Sequence, residues 1–349
     1  DGASLVLDAQ GRELGCAAQF RDDLLVFDLE PKDLGPARAS RASAARVGQA
    51  LRERPPLRQA MARRLEPVEE VYEALTLGVR DYVRKNGFAT VVLGLSGGVD
   101  SALTACLAVD ALGPAHVMGV VMPSRYSSRA TQADARELGR TLGIEVQEIS
   151  IEPVFTAYLD TLRRLFRDQP ADVTEQNIQA RIRGNFLMAL SNKFGWLVLT
   201  TGNKSEYATG YCTLYGDMAG GFAVIKDVPK TLVYRLARFR NRRAKEGPIP
   251  ESILRRAPSA ELAPHQTDQD TLPPYDALDR ILQAYVEEDR GFHEIAAATR
   301  IAPATVRRVI RMVDRAEYKR RQAPPGVKIT PKAFGKDRRM PITNRFQES

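Results

Sequence analysis

The sequence predicts an α/β protein built on a doubly wound parallel sheet. Two observations predict this fold. Short apolar runs recur through the middle of the chain, at 90–95, 117–122, 146–149 and 197–201. Helical stretches separate these runs, at 99–112, 129–142 and 173–193. Strands that are apolar on both faces and alternate with helices are typical of such a sheet, in which ligands bind beyond the carboxyl ends of the strands.

The N-terminal region has the pattern of two short strands, at 4–9 and 24–29, with a turn at Gln10-Gly11 after the first. Two strands cannot bury an apolar face by themselves. We therefore expect residues 1–30 to be the end of a larger domain whose remainder lies upstream. Residues 31–66 are rich in Ala, Arg and Pro, which predicts a solvated linker. The main domain is then 67–349.

A helical pattern of apolar residues marks the start of the main domain, and Asn86-Gly87 is predicted to end this first helix. Its apolar residues are Val68, Val71, Tyr72, Leu75, Val79, Tyr82 and Val83. After a Pro-rich stretch at 247–274, the sequence predicts two further helices. The apolar face of the first consists of Leu278, Ile281, Leu282, Tyr285 and Val286. The apolar face of the second consists of Val306, Val309, Ile310 and Val313.

The composition is that of a globular chain able to bury a sizeable core. Of 349 residues, 44% are hydrophobic and 27% charged, which excludes disorder throughout. The formal net charge of +8 favours polyanionic ligands without choosing among them. Three Cys and three His are scattered, so zinc sites and disulfide frameworks are disfavoured and a cytoplasmic location is predicted. No signal peptide or membrane span is apparent.

The first strand of the predicted sheet runs into a helix through the octet Gly94-Leu95-Ser96-Gly97-Gly98-Val99-Asp100-Ser101. Glycines let an anion approach the backbone, and the free N–H groups of a helix start attract phosphate. Ser96 and Ser101 add hydroxyl donors. A tight turn with a capping Ser or Asp is the alternative. The place of the octet at the carboxyl end of a buried strand favours phosphate binding.

The octet matches neither common nucleotide loop. The Walker pattern needs a lysine that is absent here, and GxGxxG does not match. The segment from Ser96 to Ser101, SGGVDS, instead resembles the pyrophosphate loop of the ATP pyrophosphatases, which adenylate a substrate and release pyrophosphate. In place of the lysine, Asp100 would hold Mg2+, and the metal would neutralise the leaving pyrophosphate.

A second polar cluster follows the last apolar run, at Gly202-Asn203-Lys204-Ser205-Glu206. Glu206 is predicted to emerge at the same sheet edge as Asp100, where the two carboxylates could share one metal ion. The alternative is that Glu206 only opens the next helix, where a negative charge is favourable by about 0.3–1 kcal/mol.

Long segments resemble the synthetase domain of bacterial glutamine-dependent NAD+ synthetases. They are TTGNKSEYATGYCTLYGDMAGGFAVIKDVPKTLVYRLA, PSAEL, DQDTLPPYDALD and EYKRRQAPPGVKIT. The likeness covers about residues 68–346. Residues 4–29 are similar to the last strands of the nitrilase-like glutaminase domain that precedes the synthetase in this family. The resemblance implies that the catalytic Glu, Lys and Cys of that glutaminase lie upstream of Asp1.

The resemblance implies a fold of the adenine nucleotide alpha hydrolase type and an ATP-dependent ligase. The nicotinate carboxylate of deamido-NAD+ would attack the α-phosphate of ATP, pyrophosphate would leave, and ammonia would displace AMP to give NAD+. Glutamine supplies the ammonia in the full-length family, and free ammonia would serve this chain. Such chemistry depends on charge stabilisation and positioning, so no protein nucleophile is expected. A homo-oligomer without nucleic-acid or membrane partners is implied.

Family positions imply the site residues. The ATP-binding set is the whole octet from Gly94 to Ser101 together with Thr201, Lys230 and Ser259. Asp100 and Glu206 would hold Mg2+. The deamido-NAD+ set is Asn177, Glu206, Asp217 and Lys319. Glu206 therefore has two implied roles, which the sequence does not separate.

One position departs from the pattern of the ammonia-dependent relatives. Where they read TKYGD, this chain has Leu214 in place of the lysine that meets the dinucleotide phosphates. Another cation must then replace it. Lys319 or Arg320 is our prediction, with Arg181 and Arg183 as alternatives.

Other functions remain open at this stage. Residues 294–308 resemble a helix-turn-helix, but their apolar positions are needed for packing, so DNA binding is disfavoured. Other SGGxDS enzymes, such as GMP synthetases, asparagine synthetases and tRNA-modifying enzymes, lack TGYCTLYGD and EYKRRQ. A nucleotide-binding protein that retains the loop without turnover is the alternative from a different class.

Overall fold

The computed structural model describes residues 2–28, 57, 61–167 and 169–343. The chain divides into two compact units, residues 1–74 and 75–349. Most of the predicted linker, 31–66, lies outside the described residues, so the predicted domain boundaries stay a prediction.

The first unit contains an antiparallel hairpin of β1 (Leu5–Leu7) and β2 (Glu13–Cys16). One Asp8 carboxylate oxygen accepts from the backbone N–H groups of Gln10 at 2.9 Å and Arg12 at 2.8 Å. This turn returns the chain at once, so the partner of the first strand begins at residue 13. The prediction of a strand at 24–29 is wrong, because the described residues 24–28 form none.

The remaining elements of the described chain have the following bounds. The helix α1 (Pro67–Lys85) contains the boundary between the units. The strands are β3 (Val91–Gly94), β4 (Val117–Val121), β5 (Glu145–Glu148), β6 (Leu197–Thr200) and β7 (Phe222–Ala223). The helices of the sheet region are α2 (Val99–Leu112), α3 (Arg129–Leu142), α4 (Glu152–Phe166), α5 (Val173–Phe194), α6 (Lys204–Thr209) and α7 (Lys230–Arg242). Further along are α8 (Glu251–Arg255), α9 (Tyr275–Leu282), α10 (Phe292–Thr299), α11 (Pro303–Arg315) and α12 (Glu317–Arg320).

The described strands β3 to β7 form one parallel sheet in the order β5-β4-β3-β6-β7. Val91 of β3 lies opposite Val117 of β4 and Leu197 of β6. Helices α4 and α5 cover one face, where Phe155 and Ile182 join a core cluster with the strand residues. Helices α2 and α3 pack on β3, β4 and β5, and α7 packs on α2. The predicted doubly wound α/β fold is confirmed.

The strand order creates a switch point beside β3. The chain moves outward from β3 to β4 and β5, then crosses back to place β6 on the other side of β3. In open α/β sheets the crevice at such a point, beyond the carboxyl ends of the strands, is where ligands bind. Here it lies after Gly94 and Thr200.

The C-terminal helices form a second apolar cluster that also contains Ala208 of α6. All residues of the two predicted apolar faces, 278–286 and 306–313, are buried in it. A five-residue π-helical turn, Gln283–Glu287, extends α9, and α10 is an additional helix that the periodicity did not predict. No helix in the described part of the chain combines the length and the apolar character that crossing a bilayer requires.

Candidate functional site

The predicted phosphate loop connects β3 to α2 at the switch point. The N–H of Leu95 still donates to Val120 O of β4, at 2.8 Å, so the sheet holds the start of the loop. The Ser96 and Ser101 hydroxyl oxygens lie 3.1 Å apart, and Ser101 donates to Gly98 O at 3.0 Å. Ser96 is exposed, so the loop presents a hydroxyl and the first N–H groups of α2 to solvent.

Gly97 has a backbone that a side chain would disturb. Its φ is +76°, in the left-handed region, and a Cβ there would lie 2.2 Å from Thr131 O of α3. Its own carbonyl accepts from Arg256 Nη1 at 3.2 Å, and Arg256 also forms an ion pair with Asp134 of α3. The loop is therefore held against α3 both by close contact and by a cation.

The end of β6 carries the second part of the site. Asn203 caps α6 by accepting from the Glu206 N–H at 3.1 Å, while Glu206 Oε2 accepts from the Asn203 N–H at 3.2 Å. Such a capping box fixes both side chains. The remaining Asn203 amide group donates to Asp100 Oδ1 at 2.9 Å. The carboxyl edges of β3 and β6 are thus joined through Asp100, as the sequence predicts.

Lys230, the first residue of α7, lies between the two predicted metal ligands. Its Nζ is 2.5 Å from Asp100 Oδ2 and 3.5 Å from Glu206 Oε1. The lysine side chain is 3% exposed, and those of Asp100 and Glu206 are 17% and 18% exposed. The partly exposed carboxylates can therefore meet a ligand while the buried ammonium holds them together.

Burial and charge shift the pKa values in this cluster. Burial raises the pKa of Glu206 to about 8, with Asp100 and Asp268 adding to the rise and Lys230 opposing it. Burial alone would lower the pKa of Lys230, but the Asp100 and Glu206 carboxylates raise it above its ordinary value. Burial also raises the pKa of Asp268. Glu206 therefore keeps its proton below a pH of about 8 in the ligand-free protein, and a divalent cation bound beside it would favour its ionised form.

Asp268 and two tyrosines form a layer behind the cluster that the sequence did not predict. The Asp268 carboxylate accepts from the Tyr275 hydroxyl at 2.7 Å and from the Tyr211 hydroxyl at 3.3 Å. The Lys230 ammonium lies 5.2 Å from the centroid of the Tyr275 ring, within cation–π range. Asp268 and Tyr275 belong to the segment DQDTLPPYDALD, and its resemblance to the family was the signal in the sequence that could have pointed to them.

The two residues between Asn203 and Glu206 anchor α6 through buried side-chain contacts. Lys204 is 1% exposed, and its Nζ lies 2.7 Å from Glu287 Oε1 and 3.0 Å from Asp227 Oδ1. The same Nζ donates to Thr330 Oγ1 at 2.5 Å. Ser205 donates instead to Asp279 of α9 at 2.5 Å. Each residue of Asn203-Lys204-Ser205-Glu206 therefore has a different partner, which sets the position of α6.

The residues predicted to bind deamido-NAD+ surround the loop 210–217. Asn177 Oδ1 accepts from the Thr213 hydroxyl at 2.8 Å, and Asp217 Oδ1 accepts from the Thr213 N–H at 2.6 Å. The Lys319 ammonium donates to Gly210 O and Cys212 O, both at 2.7 Å. The fourth member, Glu206, accepts from the N–H groups at the end of α6 through its backbone carbonyl, just before this loop.

The cations proposed to replace the lysine lost at Leu214 differ in what they contact. Arg320 is buried and donates to Ala208 O and Val313 O, both at 2.7 Å, and it forms an ion pair with Glu317. Arg181 is exposed, and its Nε donates to Leu214 O at 3.2 Å. Arg183 donates to Met122 O at 3.0 Å. Arg181 is thus the cation that meets the backbone of residue 214.

Two further predicted ATP residues, Thr201 and Ser259, differ in their surroundings. Thr201 directly follows β6 and is half-buried. Ser259 is exposed, and its hydroxyl donates to Gln266 O at 2.5 Å. Nearby, Arg256 contacts the loop itself, and the sequence did not single it out.

The residues present suit Mg2+ held jointly by protein and phosphate. Among the described residues no three His, Cys, Asp or Glu side chains converge on one metal position. Asp100 and Glu206 nevertheless supply two partly exposed oxygen ligands of the kind that Mg2+ prefers. Because Mg2+ is commonly bound by one or two carboxylates together with substrate phosphates, this donor set fits it.

Comparisons with known proteins match most of the chain. A family model described as NAD synthase matches residues 71–323. A glutamine-dependent NAD(+) synthetase of Thermotoga maritima is 51% identical over 363 residues, covering 100% of this chain and 62% of that protein. The chain thus spans about 60% of the length of the curated relatives it matches.

Two solved structures extend the likeness to three dimensions. The glutamine-dependent NAD+ synthetase from Acinetobacter baumannii, in complex with ADP, is 46% identical with a TM-score of 0.54. The match covers 86% of this chain and 52% of that one. The NH3-dependent NAD synthetase from Campylobacter jejuni, in complex with nitrate, is 28% identical with a TM-score of 0.57. This match covers 70% of this chain and 93% of that one. The predicted adenine nucleotide alpha hydrolase type of fold is confirmed.

Proposed function

The chain belongs to the NAD synthase family, and from this premise we propose that it converts deamido-NAD+ to NAD+. ATP would adenylate the nicotinate carboxylate, pyrophosphate would leave, and ammonia would then displace AMP. The observation that carries the proposal is the meeting of the SGGVDS loop with Asp100, Lys230 and Glu206 at the switch point of the sheet. An adenylating site needs this combination of anion-binding backbone, fixed ammonium and carboxylates.

The residues of the site have separate tasks in this proposal. The loop amides with Ser96 and Ser101 bind the ATP phosphates, and Lys230 places a positive charge beside them. Asp100 and Glu206 would hold Mg2+, which supplies charge neutralisation for the departing pyrophosphate. Thr201 and Ser259 are proposed to contact ATP from the rim of the site. The rest of the catalysis is positioning of the carboxylate next to the α-phosphate.

The loop 210–217 is proposed as the deamido-NAD+ side of the site. Asn177, Asp217 and Lys319 shape it by hydrogen bonds to its hydroxyl and backbone groups. Arg181 is proposed to take the part of the missing lysine, because it is exposed and lies at the backbone of Leu214. Arg320 is disfavoured, since its guanidinium is already used inside the protein.

Free ammonium is the proposed nitrogen source for this chain. The support is that the relative in Campylobacter jejuni, which shares this fold, is named NH3-dependent. A homo-oligomer remains a prediction from the family resemblance, as does a cytoplasmic location.

The test is pyrophosphate release by the purified chain with MgATP. We expect release that requires both deamido-NAD+ and an ammonium salt, with NAD+ formed in equal amount. Nicotinic acid mononucleotide, which lacks the adenylate half, serves as the control substrate. Release that does not depend on deamido-NAD+ would indicate another adenylating enzyme. ATP binding without any release would indicate a non-catalytic nucleotide-binding protein.

A further inference from the structure

A buried carboxylate, Asp279, connects the two helix starts that carry Lys230 and Glu206. Asp279 lies on α9 beside Leu278 and Ile281, which are fully buried in the helical core. It is 8% exposed. Its Oδ1 accepts from the Ser205 hydroxyl at 2.5 Å, and its Oδ2 accepts from the Thr231 N–H at 2.8 Å. Both carboxylate oxygens therefore have a donor inside the protein.

Ser205 completes the connection. It is fully buried, and its hydroxyl oxygen accepts from the Lys230 N–H at 2.9 Å. Ser205 directly precedes Glu206, and Thr231 directly follows Lys230. The Ser205–Asp279 pair thus binds the α7 backbone at Lys230 and Thr231, and it ties this turn to the α6 residue that precedes Glu206.

The chemistry of the pair requires a carboxylate. A buried carboxylate is costly unless its oxygens are satisfied, and here two donors satisfy them. An asparagine has one acceptor oxygen, so its NH2 group would face either the Thr231 N–H or the Ser205 hydroxyl. Replacing buried polar groups by packed apolar ones is often neutral or stabilising. The hydrogen bonds that the pair makes to the starts of α6 and α7, and not a gain in stability, are therefore the reason to assign it a role in geometry.

We propose that Ser205 and Asp279 are positioning residues that fix the spacing of Lys230 and Glu206 around Asp100. Neither residue contacts a substrate. They act through the first turns of α6 and α7, which they hold together inside the protein. The inference rests on the proposed function for the roles of Lys230 and Glu206. It gives a role to two residues that lie in the quoted segments but belong to none of the implied ligand sets.

The experiment compares Asp279→Asn, Ser205→Ala and the double variant in the full 349-residue chain. We expect kcat to fall by about 10- to 100-fold in each, because displacement of catalytic groups by about 1 Å has effects of this size. The KM for ATP should rise more than the KM for deamido-NAD+, since Lys230 is assigned to ATP alone and only Glu206 is implied for both substrates. The kcat of the double variant should be no lower than that of the less active single variant, because both substitutions break the same connection.

Asp110→Asn is the matched control. Asp110 of α2 pairs with Arg240 of α7 and so joins the far ends of the helices that begin near Asp100 and Lys230. The control removes a carboxylate contact to α7 without touching its first turn. It should leave kcat and both KM values within about twofold, because surface pairs contribute about 0–1 kcal/mol.

The outcomes separate the pair from the proposed function. An active wild-type chain whose Asp279→Asn and Ser205→Ala variants keep kcat within twofold, or raise both KM values equally, would overturn the positioning role. An inactive wild-type chain would overturn the proposed function, and ATP affinity by calorimetry would then judge the pair. Thermal melts accompany each variant. If both single variants melt below the assay temperature, the pair is a folding element and the proposal is wrong.

Discussion

Asp100 is the side chain on which the two halves of the site meet. It accepts from Asn203 at the end of β6 and from Lys230 at the start of α7. Asp100→Asn should keep the volume but remove the charge opposite Lys230 and a proposed Mg2+ ligand. We expect kcat to fall on the order of 100-fold, the size of effect seen when one electrostatic contact to a transition state is lost.

Steady-state pyrophosphate release over a series of Mg2+ concentrations checks this prediction. Asp110→Asn, on the same helix, serves again as the control. Turnover of Asp100→Asn that approaches the wild-type rate at saturating Mg2+ would remove Asp100 from the role of metal ligand.

Glu206 gives the ligand-free protein a pH dependence. Burial raises its pKa to about 8 from an ordinary value of 4.5, so between these pH values the folded state keeps a proton that the unfolded state has lost. Stability therefore falls as pH rises through this window and is level above it. Glu206→Gln removes the effect while keeping the capping box, which accepts Glu or Gln.

Melting curves of both proteins at pH 5, 6.5, 8 and 9 without nucleotide test this. We expect the Tm of Glu206→Gln relative to wild type to rise by at least about 2 °C between pH 5 and 8 and then to stay constant. A constant difference across the whole range would show that Glu206 ionises as it does in water.

Side chains next to a recognisable motif were predictable, and those brought in by the fold were not. Asp100, Glu206 and Lys230 follow from the motif and the resemblance, and the structure places all three in contact. Asp268 and Asp279 come from helices that pack from outside the sheet. No local pattern relates them to Asp100, because their nearness to the site depends on how α9 docks against α6 and α7.

The loop between β3 and α2 allows a test of backbone geometry. Gly97→Ala would place a methyl group against Thr131 O in a left-handed backbone, so the loop must shift. We expect ATP affinity to fall by at least about tenfold, which corresponds to 1.4 kcal/mol of binding. Calorimetric titration with MgATP measures it.

Gly87→Ala is the matched control for this substitution. Gly87 also has a left-handed φ, +80°, but a Cβ there meets nothing within 4 Å. The two variants share the backbone strain, while only Gly97→Ala has the steric contact in the loop. Equal ATP affinities in the two variants would indicate that the loop does not bind the nucleotide.

Long periodic elements were predictable from the sequence, and short ones were not. The helices at 99–112 and 129–142 have the predicted bounds, because recognisable end residues flank them. Gly98 and Gly113 flank the first helix, and Ser128 and Gly143 flank the second. The strand β7 has two residues and α6 has six, too few for a period to be recognised. The N-terminal hairpin was assigned a wrong second strand, because the Asp8 turn decides the pairing and the apolar run at 24–28 does not.

At the scale of the whole molecule, the helix α4 is covered on one side only. Of its fifteen residues, all described, Phe155 alone is buried, and Leu165 is 75% exposed. Phe194 at the end of α5 is 56% exposed. We expect a homo-oligomer that buries this face, with Leu165→Glu shifting the molecular mass of the purified protein toward the monomer, since a carboxylate is costly in an apolar interface.

Light scattering on a sizing column measures the mass. Arg164→Glu introduces a carboxylate at the neighbouring exposed position and should leave the mass of the wild-type assembly unchanged. A wild-type chain that is monomeric at micromolar concentration would contradict the prediction, as would a Leu165→Glu variant with the wild-type mass.

The partners of Lys204 are synthesised long after Lys204 itself, and this affects when the site is completed during translation. Its buried ammonium is neutralised by Asp227 and Glu287 and also reaches Thr330, which lies 126 residues further along the chain. A ribosome that adds about 5–20 residues per second exposes the predicted phosphate loop many seconds before this last partner emerges. A nascent chain stalled before Thr330 would hold a finished nucleotide sheet whose α6 is still incompletely anchored. Competence for turnover is thus acquired only after Thr330 has emerged and Lys204 has its full set of partners.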